Sequence, residues 1–253
     1  ADATDPTASA NAIGALGGIV GEIVRQNFYG PLAYLRGKPD PFEIRVHRLY
    51  NPEGFSRYNI VPGLMGIVLT MMGVMMTALA LTREHERGTM ENLLAMPVRP
   101  IEIMAGKIAP YILIGYVQAF IIVVAAKFMF GVPIIGSLSL LSAALTIFIM
   151  CNLALGFALS ATARNQMQAM QMSFMIILPS VLLSGYMFPF WGMPKWAQFL
   201  GDLIPATYFI RIVRGILLKG NGIVEIWPDL WPLFVFMAVI TALAMKFYRS
   251  TLD

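Results

Sequence analysis

Residues 83–107 read REHERGTMENLLAMPVRPIEIMAGK, the one long charged stretch set between long uncharged ones. It holds four acidic residues (Glu84, Glu86, Glu91, Glu102) and four basic ones (Arg83, Arg87, Arg99, Lys107). Residues 58–82 before it and 108–126 after it carry no charge. At a rise of about 1.5 Å per residue, about 20 apolar residues cross the hydrocarbon core of a bilayer. A short polar island between two membrane-length segments is a place where something outside the membrane can push on the helices inside it.

Composition supports that reading. Hydrophobic residues make up 58% of the chain, charged residues 13%, and the mean hydropathy is +0.70. Soluble domains are usually about a quarter charged. With half that, the chain has more apolar surface than a soluble domain could bury, which indicates a polytopic membrane protein. The net charge of +4 is spread over loops, with no Lys/Arg run to track a phosphate backbone, so nucleic acid is not a partner. The single cysteine, Cys151, excludes an intrachain disulfide and a cysteine-cluster metal site, and its apolar neighbours mark it as an inert buried thiol.

Moving outward, residues 60–81 form the first span, with Gly66, Thr70, Gly73 and Thr77 on one helical face where another helix can approach closely. Residues 108–130 form the second, ending near a snorkelling Lys127. The turn GVPIIG (131–136) leads to a third span over 137–160. The polar loop ATARNQMQ (161–168) leads to a fourth over 169–190, interrupted by Pro179 and Gly185. Over 191–229, Trp191, Trp196, Trp227 and Tyr208 suggest the membrane–water interface. Residues 206–218 are amphipathic, with Arg211 and Arg214 anchoring at the outer surface. This region predicts short helices dipping into the outer leaflet, and residues 230–245 form the last span. Residues 1–59 differ, with six acidic and six basic residues. Ser9 is a candidate cap for a helix to Asn27 with an apolar stripe including Ile13, Leu16, Ile19 and Val20. Residues 42–50 begin in alternation (Phe42, Ile44, Val46 against Glu43, Arg45, His47), which predicts a half-buried strand. The fold class is therefore an all-α polytopic membrane protein of about five transmembrane helices, with part of a small α/β extracytoplasmic domain over 1–59 and a transmembrane domain over 60–253. Charge on the short loops places 83–107 and the C-terminus in the cytoplasm.

Within 83–107, Thr89 is a candidate N-cap, with Glu91 in the first turn where a negative charge suits the helix dipole. Met90, Leu93, Leu94 and Pro97 follow i, i+3, i+4, i+7, one apolar face. Pro100 and Glu102 open a second helix that runs into the second span. Several chemistries fail on the residues. His85-Glu86 would need a second histidine at position 89, which is Thr89, for a zinc-protease pair. The chain has no G-x-x-x-x-G-K-[ST] phosphate loop and no G-x-S-x-G elbow. Met71, Met72, Met75 and Met76 read as packing residues rather than a soft-metal ladder. Gln118, Asn152, Gln166, Gln168 and Gln171 read as interhelical hydrogen-bonding groups before path-lining ones. These expected spans hold no Asp or Glu, which counts against a proton- or sodium-coupled transporter.

The pattern Arg83-Glu84, Glu86-Arg87-Gly88-Thr89, Glu91, Leu93-Leu94, Pro97, Glu102 and Gly106-Lys107 resembles the signature of ABC-2-type permeases, the membrane subunits of ATP-binding-cassette exporters. Tyr50-Asn51-Pro52, Ser56-Arg57 and Val61-Pro62-Gly63 resemble the family's run into its second span. Pro205 through Gly215 (PATYFIRIVRG), with Tyr208, Arg211 and Arg214, is similar to its outer-face re-entrant helices over 191–229. The resemblance implies a six-span protein of which this chain is a C-terminal portion lacking the first span. It implies a coupling helix at Arg83–Glu91 with Leu93 and Leu94, which fits a cleft on a separate ATPase subunit that handles ATP and Mg. It makes 97–107 an elbow to the second span, and it implies a second permease chain as a homodimer or with a paralogue, in a bacterial inner membrane. Some members work with a periplasmic adaptor. The residues themselves also fit a membrane-anchored scaffold without transport activity.

Overall fold

The computed structural model describes residues 6–27, 50, 51, 53–87 and 100–250. The chain forms two compact units, Ala1–Asn59 and Ile60–Asp253.

In the first unit, helix α1 runs over Pro6–Asn27. It opens at Pro6 rather than at Ser9, since a residue with fixed φ and no N–H suits a first turn. Its stripe is not a buried face, because Leu16 and Ile19 are more than half exposed. The predicted strand lies outside the described residues except for Tyr50, so the α/β character of this unit has no described strand to rest on. Near the end of the unit, the Asn51 side chain clasps Phe55. Its Nδ2 donates to the Phe55 carbonyl at 3.0 Å, and its Oδ1 accepts from the Phe55 N–H at 2.9 Å. That clasp immediately precedes the next helix.

The remaining long helices are α2 Ser56–Glu86, α3 Pro100–Phe128, α4 Leu138–Thr162, α5 Gln166–Leu183 and α8 Ile223–Ser250. Each contains a stretch long and apolar enough to cross a membrane: Ser56–Glu84, Ala109–Phe128, Leu138–Thr162, Gln166–Leu183 and Ile223–Ala244. The protein is thus a polytopic helical membrane protein, with no strand among the described residues. Between α5 and α8 lie a 3-10 turn (Phe190–Gly192), the short helices α6 (Lys195–Gly201) and α7 (Pro205–Arg214), and a π turn (Gly215–Lys219).

Two boundaries differ from the sequence expectation. The fourth span ends at Leu183, not at residue 190, because Gly185 takes a left-handed φ of +79° that no helix continues. The last span begins at Ile223, not at residue 230. Glu225 sits in its first turn and its carboxylate accepts the Gly222 N–H at 2.9 Å, so the helix start is satisfied upstream of Pro228 and Pro232. The last span therefore does carry two acidic residues, Glu225 and Asp229, and the argument from their absence falls.

The core gathers on α4. It packs along α8, and α7 lies against both. Phe148 of α4 stacks on Phe209 of α7 with centroids 3.9 Å apart and planes 2° from parallel. Ile210, Ile212 and Val213 of α7 and Leu233 of α8 are all 0–1% exposed. α2 joins through small residues. A Cβ on Gly156 of α4 would come within 2.7 Å of the Val74 carbonyl oxygen and of the Thr77 Cβ, so the two backbones meet where only glycine fits. Thr70 and Thr77 bond their own helix, to the Gly66 and Gly73 carbonyls at 2.9 and 2.8 Å, and leave no hydroxyl hydrogen unpaired at that contact. The turn after α3 is pinned to the π turn: the Ile135 N–H donates to Leu217 O at 3.1 Å.

Candidate functional site

The charged residues that open the 83–107 stretch continue α2 rather than starting a separate element. Arg83, Glu84 and Glu86 lie in its last turns, and Arg87 follows as a turn residue whose N–H donates to Arg83 O at 3.1 Å. Gly88, Thr89, Glu91, Leu93, Leu94 and Pro97 lie outside the described residues. On the far side, Glu102, Gly106 and Lys107 fall in the first turns of α3, a single helix from Pro100 through the second span. Gly106 is exposed, with open space where a Cβ would stand.

What Glu86 touches is a residue 80 positions away. The loop between α4 and α5 is only three residues long, so the start of α5 returns beside the end of α2. Asn165 caps α5, its Oδ1 accepting the Gln168 N–H at 2.8 Å. Gln166 then donates twice to Glu86, from its backbone N–H to Oε1 at 2.8 Å and from its side-chain amide to Oε2. Arg83 Nε donates to Gln166 Oε1 at 3.2 Å. The carboxylate therefore sits at a helix N-terminus, where unpaired N–H groups and the dipole favour negative charge. The Gln166 side-chain bond, then its backbone bond, hold the Glu86 carboxyl below the usual glutamate range, and Arg83 and Arg87 act in the same direction. Gln166 thus does the interhelical bonding that its residue type suggests.

At the other candidate region, Pro205 occupies the first turn of α7, which buries one face and leaves Arg211 and Arg214 partly exposed. Tyr208 Oη donates to the Asp202 carbonyl at 2.7 Å, and burial, then Asp202, push the phenol's pKa up. Arg211 lies 3.7 Å from an Asp202 carboxylate oxygen and 3.5 Å from one of Asp229. Its guanidinium also sits over the rings of Phe190, Trp191 and Tyr208, at 4.3, 5.6 and 5.8 Å. Arg214 reaches back to donate to Gly185 O at 3.1 Å, which fixes α7 to the end of α5. The sequence reading named both arginines but neither Asp202, Asp229 nor Gly185 as their partners. The early start of α8 is the signal that brings Asp229 into range.

Taken together, five helices long and apolar enough to span, a charged segment between the first two and a run of short helices before the last define a polytopic helical membrane protein. Residues 25–218 match the family model described as ABC-2 type transporter. The chain is 32% identical over 217 residues to the "Probable multidrug ABC transporter permease YbhR" of Escherichia coli, covering 85% of this chain and 59% of that protein. It is 33% identical over 180 residues to YbhS of the same organism, also named a probable multidrug ABC transporter permease, covering 71% of this chain and 48% of that one. It is 31% identical over 193 residues to the "Inner membrane transport permease YhhJ", covering 75% and 52%. The chain belongs to the ABC-2 type transporter family, and it spans about half the length of these curated relatives.

Proposed function

We propose that this chain is the permease part of an ATP-driven exporter in a bacterial cytoplasmic membrane, with ATP hydrolysed by a separate subunit. The observation that carries the proposal is the family membership over residues 25–218 together with a charged segment joining α2 and α3. The relatives' printed names, multidrug and inner membrane transport permease, support transport as the activity and the inner membrane as the place. The chain's own sequence has no phosphate loop, which is in keeping with nucleotide chemistry in a partner.

In this reading the ATPase binds the segment around Thr89, Glu91, Leu93 and Leu94, and two permease chains share one ATPase pair. Gly88 belongs to the same ATPase-binding segment. Pro97, Glu102, Gly106 and Lys107 form the elbow that passes motion to α3. Arg211 and Arg214 hold the short helices at the outer face. A periplasmic adaptor completes the path in those assemblies that cross two membranes. Because Glu86 is already engaged by Gln166, the docking surface is placed on Glu91 and its neighbours rather than on Glu86.

Co-purification of the full-length chain with its cognate ATP-binding-cassette subunit tests this. The two are expected to co-purify, with ATP hydrolysis rising on association. Glu91→Lys, reversing a charge at the proposed contact, is expected to lower association by about tenfold, equivalent to about 1.4 kcal/mol. Absence of association in the wild type, or equal association for Glu91→Lys, defeats the coupling role and favours a scaffold.

A further inference from the structure

We propose that α5 is a strut that carries a displacement of the charged end of α2 to the short helices before α8, with Gln166 and Arg214 as the positioning residues at its two ends. This rests on the export reading, in which an ATPase supplies the displacement. Gln166 is the first residue of α5, where a backbone N–H has no partner within its own helix. That N–H and the side-chain amide both donate to the Glu86 carboxylate, and Arg83 Nε donates to the Gln166 side-chain oxygen at 3.2 Å. Three hydrogen bonds thus join the last turns of α2 to a single residue of α5. Ala78 of α2 also packs with Ala163 and Ala169. The turn from α4 gives little slack, because the Arg164 N–H donates to the Gln168 side chain at 2.9 Å and Asn165 caps the helix.

Between its ends α5 is held differently. Its buried residues form one narrow seam, Ala169, Ser173, Ile177 and Ser180. The two serine hydroxyls bond carbonyls of their own helix, Ser173 to Ala169 and Ser180 to Ile176, each at 2.8 Å. Among the described residues, no hydrogen bond joins 167–183 to another helix. The Ser180 bond also braces the turn that Pro179 deprives of an N–H donor, so the helix keeps its length as it moves. Helices packed through small and apolar side chains slide past one another by short steps, whereas hydrogen-bonded ends move with their partners.

At its far end α5 is tied again. The Gly185 carbonyl, two residues past Leu183, accepts the Arg214 guanidinium of α7 at 3.1 Å. A Cβ on Gly201 of α6 would come within 2.6 Å of the Leu183 carbonyl oxygen, so the α6 backbone lies directly against the last residue of α5. A shift of α5 along its axis therefore acts on α6 and α7 together. The competing route is direct, since a Cβ on Gly66 of α2 would come within 2.8 Å of the Ile210 side chain of α7. Cutting the ties of α5 while leaving that contact intact separates the two routes.

Hydrogen exchange read by mass spectrometry tests this on the full-length permease with its cognate ATPase subunit in phosphatidylcholine nanodiscs. Samples are compared without nucleotide and at equal amounts of vanadate-trapped nucleotide. Trapping is expected to change wild-type exchange about fivefold in residues 166–170 and in 184–204, exchange being set by local opening. Gln166→Leu is expected to lose that response in both stretches, and Arg214→Met to keep it in 166–170 and lose it in 184–204. Glu86→Gln combined with Gln166→Glu keeps an amide facing a carboxylate and is expected to restore both. A merely structural role for Gln166 shifts exchange equally with and without nucleotide and leaves the response in place. A response in 184–204 that persists in Gln166→Leu or in Arg214→Met overturns the strut, as does a loss in Gln166→Leu that the swapped pair leaves unrestored. Co-purification is read first: no association of the wild type with the ATPase defeats the export reading and the strut with it, whereas association without a response in 184–204 defeats the strut alone.

Discussion

Arg211 and Glu86 are both charged groups at helix ends, and the molecule holds them in opposite ways. Arg211 stands among three aromatic rings and two carboxylates, on a helix whose Ile210 and Ile212 are almost wholly buried. Glu86 is exposed, and its hydrogen bonds come from a single residue, Gln166. Around α7 the contacts are apolar and interlocked, so the short helices, α4 and α8 can move only as a body. At the α2–α5 junction the contacts are polar and open to water, which can replace them one at a time. On the proposed coupling, a push on the charged segment would meet its least resistance where α2 leaves the bundle and would reach α7 through packed backbone.

The strongest way to break this contrast is to hollow out the packed region. Phe209→Ala removes one member of the Phe148 stack from a site with 0% exposure. The expected loss is about 3–4 kcal/mol, the range for large-to-small core changes, although part of that range reflects exposure to water that a lipid-embedded site does not share. Thermal unfolding in detergent reads it. A loss below about 1 kcal/mol means that α7 is not locked to α4, and the contrast between the two regions disappears.

A smaller effect is expected at Arg211. Arg211→Met keeps an unbranched apolar stem and removes the charge between Asp202 and Asp229, leaving two carboxylates facing one another. At partly exposed positions the expected cost is about 1–2 kcal/mol. Adding Asp229→Asn is expected to recover most of it. A double variant no more stable than the single one shows that the guanidinium acts through ring stacking alone, and that the carboxylates are bystanders.

How much of this could be read in the sequence varies with the physics of each feature. The spans were legible because uncharged runs of membrane length have few alternative readings, and the stripe from Gly66 to Thr77 announced a close helix contact that Gly73, Thr77 and Gly156 make. The ends of the spans were less legible. Gly185 was visible as an interruption, but only the backbone shows that its positive φ ends the helix. The early start of the last span was not legible either: the helix begins at Ile223, with its first turn satisfied by Gly222 and Glu225, and runs through Pro228 and Pro232. The pairings were not legible at all. Glu86 with Gln166, Arg211 with Asp229 and Arg214 with Gly185 are set by the fold over long separations, and no periodicity carries that information. The central residues of the coupling segment, 88–99, lie outside the described residues, so their role rests on the family pattern.

The finest test concerns the polar junction, and it separates the two regions by pH. The Glu86 carboxylate accepts two hydrogen bonds from Gln166, and these favour its charged form, so its pKa in the folded protein lies below its unfolded value. A group of this kind stabilises the fold fully above its unfolded pKa, and the contribution fades as pH falls through the folded one. At neutral pH the wild type is therefore expected to melt slightly above Glu86→Gln, and the difference should shrink to nothing in the acid range below the ordinary glutamate value. Gln166→Leu should abolish the same pH-dependent increment, since the shift comes first from that side chain. The Phe209→Ala deficit involves no titrating group and should stay constant across the same range. If Glu86→Gln melts with the wild type at every pH, the junction contributes nothing to holding α2 against α5. Charge on the segment would then act on the bundle only through α3.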